Sequence, residues 1–292
     1  MNPETLRRIR RIEIKTRRQV TNAFAGAYHS AFKGRGMAFD VVRPYEYGDD
    51  PRDIDWNVTA RMNLPYIKKY AEEREMTALI MLDSSASCFF GTRGALKHDL
   101  AVELGALLAL SATTNNDNVG LLIFGDAIET FVAPRKGRNH VLRIIRDLLT
   151  VTPERRGTDL GGALRAVNRF LKQRAILFVL SDFLAPPESY ALELAVTARR
   201  HDVVAMVFED PREQAWDDAG LVALRDAETG ERLTVDTGSA AWRESFAGYA
   251  ARFREARDSA LSRADVDRIT LTAGDDPVLA LTRFFQRRVQ RT

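Results

Sequence analysis

The chain has 292 residues, 45% of them hydrophobic and 28% charged, and carries a formal net charge of +3. That composition excludes a disordered or fibrous protein, and the length suffices for one large domain or one domain with an appendage. No apolar run approaches the roughly 20 residues of a membrane span, and Met1 to Arg8 has no signal-peptide core. The single Cys88 forbids an internal disulfide, so a cytoplasmic, reducing location is expected.

Charge is unevenly spread: residues 1–20 hold seven Lys/Arg against two Glu, and residues 283–292 hold four Arg. Basic ends can hold nucleic acid or anionic lipid. No aromatic residues interleave with Arg7 to Arg18 as a stacking platform would require, and nucleic acid is not expected as a partner.

In chain order, residues 3–18 predict a basic helix with a thin apolar stripe. Gly34-Arg35-Gly36 follows in a glycine-punctuated stretch that falls short of a phosphate-binding fingerprint. Between Phe39 and Arg61, Asp49, Asp50, Asp53 and Asp55 lie among Arg43, Arg52 and Arg61, with Tyr45, Tyr47 and Trp56 between them. The spacing is not that of an EF-hand. Instead, Asp50 is expected to cap a short helix opening at Pro51, with the arginines pairing the remaining acids. Tyr66 to Ala71 alternates as an exposed strand leading into the next one. Without a flexible joint before Met76, residues 1–74 are expected to form a segment packed on a main domain of 75–292, with Trp56 buried between the two.

The main domain begins with Thr77 to Leu82, an almost unbroken apolar run typical of a strand covered on both faces. It ends at Asp83, followed by Ser85 and Ser87. Helices over 97–114, 138–149, 159–172 and 187–200 alternate with strands over 119–124, 175–182 and 202–208, and 127–132 reads as a short edge strand. A hairpin over about 221–236 interrupts the alternation. Trp242, Phe246, Tyr249 and Phe253 recur at helical spacing and read as core. A strand over 267–271 and a helix capped at Asp276-Pro277 complete the chain. This is α/β organisation: a doubly wound, mostly parallel sheet flanked by helices, with an N-terminal extension and an inserted β-hairpin.

The two strongest buried strands both end in aspartate, Asp83 and Asp182. In a doubly wound sheet, ligands bind beyond the strand ends where the strand order reverses. The turn Gly157-Thr158-Asp159 adds a hydroxyl. Two carboxylates and three hydroxyls are hard oxygen donors suited to Mg²⁺ or Mn²⁺, not Zn²⁺.

In that order, Asp83-x-Ser85-x-Ser87, Thr158 in Gly-Thr-Asp, and Asp182 in Leu-Ser-Asp resemble the metal-ion-dependent adhesion site of von Willebrand factor A-type domains. The resemblance implies that Ser85, Ser87 and Thr158 ligate the metal and that Asp83 and Asp182 act directly or through water. A partner's acidic side chain would then fill an open position. The upstream residues Gly34-Arg-Gly36, Arg43-Pro-Tyr45, Gly48-Asp-Asp, Ile54-Asp-Trp56 and Ala60-Arg61 resemble a bacterial domain-of-unknown-function family, number fifty-eight. Its members are associated with MoxR-type AAA+ ATPases. The resemblance implies a non-enzymatic, metal-dependent interaction module acting as adaptor of such an ATPase. Two alternatives stay open: a hydrolase using the same metal, and a vestigial site in a metal-independent scaffold. Against the hydrolase, the sequence has no Gly-x-Ser-x-Gly elbow and no HExxH, and Ser85 lacks an evident base.

Overall fold

The computed structural model describes residues 22–32, 41–62, 64–69, 76–92, 96–152 and 157–291, together with positions 16, 20 and 94. The expected helix over 3–18 falls almost wholly outside them, and the Gly34-Arg35-Gly36 stretch and Tyr70 to Arg74 wholly so.

The first helix is α1 (Asn22–Phe32), followed by the short antiparallel pair β1 (Val41–Pro44) and β2 (Tyr66–Lys69) around α2 (Trp56–Met62). Then come β3 (Thr77–Asp83), α3 (Lys97–Thr114), β4 (Asn118–Phe124), β5 (Ile128–Arg135), α4 (Arg138–Leu149) and α5 (Leu160–Phe170). Next are β6 (Ile176–Ser181), α6 (Ala191–Arg200), β7 (Asp202–Glu209), β8 (Leu221–Arg225) and β9 (Arg232–Asp236). The last three elements are α7 (Ala240–Arg263), β10 (Asp267–Thr272) and α8 (Pro277–Arg291).

The central sheet has six strands in the order β10-β7-β6-β3-β4-β5. All neighbours are parallel except the edge pair β4–β5. The expected α/β class is therefore the one observed. Strand alternation separates two cores. Ile80 and Leu82 face a layer containing Leu104, Leu107, Ile144 and Phe285, whereas Leu79 and Met81 face Leu164, Val167, Leu194 and Leu261. These side chains are fully or nearly fully buried, and each such Leu or Ile contributes about 1.5–3 kcal/mol.

The N-terminal segment divides in two. Helix α1 belongs to the core. Tyr28 has no exposed surface, and its ring meets Phe285 edge-on at 5.8 Å, while Phe32 meets Phe178 at 5.4 Å. The Arg288 guanidinium lies over the Phe32 ring at 4.6 Å, a cation–π contact. In the 41–69 stretch, Asp50 caps the short helical turn Pro51–Asp53 by accepting from Arg52 N at 2.9 Å, and Arg43 pairs with Asp49 at 2.7 Å, as expected. Trp56 is 69% exposed, which corrects the expectation that it is buried. It opens α2 on the solvent side, and Ile67 fills the inward position instead.

The aromatic stripe of α7 also departs from expectation. Trp242 and Phe246 stack with centroids 5.4 Å apart, but Tyr249 is 63% exposed. Phe246, Tyr249 and Phe253 line a cleft of about 160 Å³ that reaches Asp182 and Leu184. Helical spacing identified one face of α7 correctly, but that face borders an open cleft and not the interior.

Candidate cation site at the strand ends

Strand β3 has β4 on one side and β6 on the other, so the chain reverses its direction of strand addition at β3, and a crevice opens beyond the carboxyl ends of β3 and β6. The register pairs Leu82 with Leu180, which sets Asp83 beside Ser181. The Ser181 hydroxyl donates to Asp83 Oδ2 at 2.6 Å, and Ser85 N donates to Oδ1 at 2.9 Å. The Ser85 and Ser87 hydroxyl oxygens are 3.1 Å apart. Asp83 and Ser85 have no exposed surface, Asp182 has 2% and Ser87 has 8%.

Thr158 reaches the crevice by a different route. Asp159 N donates to Gly125 O at 2.7 Å, which clips the 157–159 turn onto the end of β4. Asp159 then caps α5 through Gly162 N at 2.7 Å. Gly161 is required by close approach, since a Cβ there would lie 2.6 Å from the Ser189 carbonyl. Ser84 ties the other side: its N donates to Phe124 O at 2.8 Å and its hydroxyl donates to Glu129 Oε1 at 2.7 Å. The Thr158 hydroxyl donates to Glu228 Oε1 at 3.1 Å. Of the five site residues expected from the sequence, Asp83, Ser85 and Ser87 form one hydrogen-bonded group, and Asp182 lies close to Asp83. Thr158 stands at the rim, engaged with the hairpin.

Three groups at the site lie outside the ligand set expected from the sequence. Lys97, the first residue of α3, is 1% exposed, and its ammonium donates to Asp182 Oδ2 at 2.8 Å and to Glu213 Oε1 at 2.5 Å. Glu213 ends the turn after β7, where Asp210 accepts from Arg212 N, Thr92 N and the Thr92 hydroxyl at 2.7–2.9 Å. The third is Cys88, whose sulfur, with carboxylate oxygens of Asp83 and Asp182, falls within a 4.8 Å cluster. Two weak signals could have flagged the first two. A lysine at the start of an apolar helix opposes the helix dipole, and Asp210-Pro-Arg-Glu213 has capping-box spacing.

Burial pushes the Asp83 carboxyl up to about 7, and the neighbouring Asp182 charge pushes it the same way. Burial would lower the Lys97 ammonium, but Asp182 and Glu213 outweigh it and hold the group above the usual lysine range. Burial, then the two aspartates, push the Cys88 thiol well up. With no cation beside it, that thiol keeps its proton.

The remaining donors fit a hard divalent ion. Six-coordinate Mg²⁺ with oxygen ligands at about 2.1 Å places adjacent ligands about 3 Å apart, close to the Ser85–Ser87 separation. Because Thr158 gives its proton to Glu228, its lone pairs remain available to a cation.

The molecule is thus an α/β protein with a buried group of carboxylates and hydroxyls at the switch point of a mostly parallel sheet. The family model for the protein of unknown function DUF58 matches residues 41–256, and the chain belongs to that family. It is 32% identical over 284 residues to an uncharacterized protein of Mycobacterium bovis, covering 96% of this chain and 85% of that protein. Among solved structures it is similar to the conserved hypothetical protein BatB from Bacteroides thetaiotaomicron. There the TM-score is 0.47 at 15% identity, covering 74% of this chain and 99% of that one. It is also similar to a von Willebrand factor type A protein from Catenulispora acidiphila. That match has a TM-score of 0.42 at 13% identity and covers 74% of this chain and 42% of that one. Among the described residues, no helix is long and apolar enough to cross a membrane.

Proposed function

We propose that the chain is a non-enzymatic protein-interaction module that binds an Asp or Glu side chain of its partner through a divalent cation, Mg²⁺ or Mn²⁺. In this reading it serves as adaptor of a MoxR-type AAA+ ATPase in the cytoplasm. The observation that carries the reading is the buried group at the ends of β3 and β6, with two hydroxyl oxygens 3.1 Å apart beside Asp83. Ser85, Ser87 and Thr158 would hold the ion, with Asp83 and Asp182 bound directly or through water. The ion supplies a positive charge with an open coordination position, and the chain's residues fix where a partner's carboxylate must arrive.

The test is capture of a purified MoxR-type AAA+ ATPase by the immobilised full chain, in Mg²⁺ and in EDTA. Retention is expected in Mg²⁺ alone, and loss in the Ser85→Ala/Ser87→Ala double variant. Equal retention in EDTA would remove the cation from the mechanism, and no retention in either would remove the adaptor role.

One observation favours a second reading, a metal-independent scaffold. Lys97 already supplies Asp182 with a cation inside the protein. On that reading the ammonium replaces the metal, and the site is structural.

A further inference from the structure

We propose that Glu228, at the tip of the β8–β9 hairpin, is an internal acidic ligand that takes the place at the site where a partner's Asp or Glu would bind. The inference rests on the cation reading above and names the class of ligand the site selects: a carboxylate presented on a tight turn.

The hairpin is built to present this residue. Asp226 Oδ1 accepts from Glu228 N at 2.9 Å and from Thr229 N at 2.6 Å, which locks the turn, and Gly230 closes it at φ +76°. Within the turn, Asp226, Ala227 and Thr229 are exposed, whereas Glu228 is half-buried and directed at Thr158. The two residues are 70 positions apart, so the contact joins the hairpin to the rim of the crevice.

The rest of the hairpin is lightly held. Strands β8 and β9 pair with each other in a sheet of their own, and Leu221 and Leu233 are 76% and 63% exposed. The base is pinned by buried Thr237, whose hydroxyl accepts from Ala219 N at 2.9 Å and donates to Gly220 O at 2.7 Å. Two-stranded hairpins are marginal alone, so the pose over the site depends on contacts at the base and the tip.

The electrostatics give the contact its direction. Lys97 already pairs with Asp182, whereas Asp83 and Glu228 accept from neutral donors, and a divalent cation between them would attract both. Cation binding therefore draws the tip inward. A partner engages by displacing Glu228, which sets a threshold that only a well-matched acidic segment passes. The Thr158 bond supports the same arrangement, because the proton given to Glu228 would leave the lone pairs of the Thr158 oxygen available to an ion.

The test is a Mn²⁺ titration of the full chain and of Glu228→Gln, with free Mn²⁺ followed by electron paramagnetic resonance and bound-ion hydration by water-proton relaxation. The Gln variant is expected to bind Mn²⁺ about tenfold more weakly, the scale of losing a supporting ligand, and to show higher relaxation enhancement as water takes the vacated position. Equal affinity and equal relaxation in the two proteins would overturn the inference while leaving the cation site intact. Absence of Mn²⁺ binding in the unaltered chain would overturn the cation reading itself, and the internal ligand with it.

Discussion

Asp83 and Asp182 follow adjacent parallel strands at nearly the same level, yet they are held in opposite ways. Asp83 accepts from two neutral donors, Ser85 N and the Ser181 hydroxyl, and nothing in its hydrogen bonding balances its charge. Asp182 accepts from the Lys97 ammonium and from Leu184 N at 3.2 Å, so its charge is met inside the fold. The difference divides the site into a half that is electrostatically closed and a half that gains from an incoming cation. A buried carboxylate without a counter-charge holds a proton or waits for a metal. It also explains how both readings of the site can arise from one structure: Lys97 serves one carboxylate and leaves the other unserved.

The largest effect is expected from breaking the closed half. Lys97→Met leaves the buried Asp182 and the half-buried Glu213 without a cation, and removing one member of a buried pair costs about 3–5 kcal/mol. Urea denaturation at pH 8 measures the loss, and added Mg²⁺ should recover part of it by restoring positive charge. A loss below about 1 kcal/mol, the range of a solvent-exposed pair, would show that the ammonium is not what holds Asp182.

A smaller effect is expected from the open half and appears as a pH dependence. Asp83 has a folded value of about 7, above the usual carboxylate value near 4 in the unfolded chain. The folded protein thus binds this proton more tightly. That stabilisation is fully present below the unfolded value and is lost as pH rises through about 7. In EDTA, melting temperature should fall from pH 5.5 to pH 8 more steeply for the unaltered chain than for Asp83→Asn. Saturating Mg²⁺ should flatten the difference, because the ion replaces the proton. Identical pH profiles for the two proteins in EDTA would show that Asp83 is not the uncompensated group.

The same division governs what could be read from the sequence. The open half is local: Asp83, Ser85 and Ser87 lie within five residues of a strand end, so an apolar run that stops abruptly reveals them. The parallel sheet, the edge strand and the inserted hairpin were legible for the same reason, each being set by a short periodic pattern. The closed half is not local. Lys97 and Asp182 are 85 residues apart, and Lys97 and Glu213 are 116 apart; only the packing of α3 against the ends of β6 and β7 brings them together. Glu228 was hidden likewise. Its turn was recognisable, but the sequence does not say which way an inserted hairpin leans. Tyr249 and Trp56 mark a further limit: helical spacing identified the face that carries Tyr249 and the lack of a flexible joint suggested a covered Trp56, but burial depends on what lies across from each.

The central claim is that Asp83 and its neighbouring hydroxyls bind a divalent cation, and calorimetric titration of Mg²⁺ and Mn²⁺ into the full chain tests it most directly. Asp83→Ala removes a carboxylate that is costly to bury uncompensated, so the variant is expected to fold and to melt cooperatively. The account predicts saturable one-site binding in the unaltered chain and none in Asp83→Ala. No binding in the unaltered chain, or the same binding in both, would contradict it.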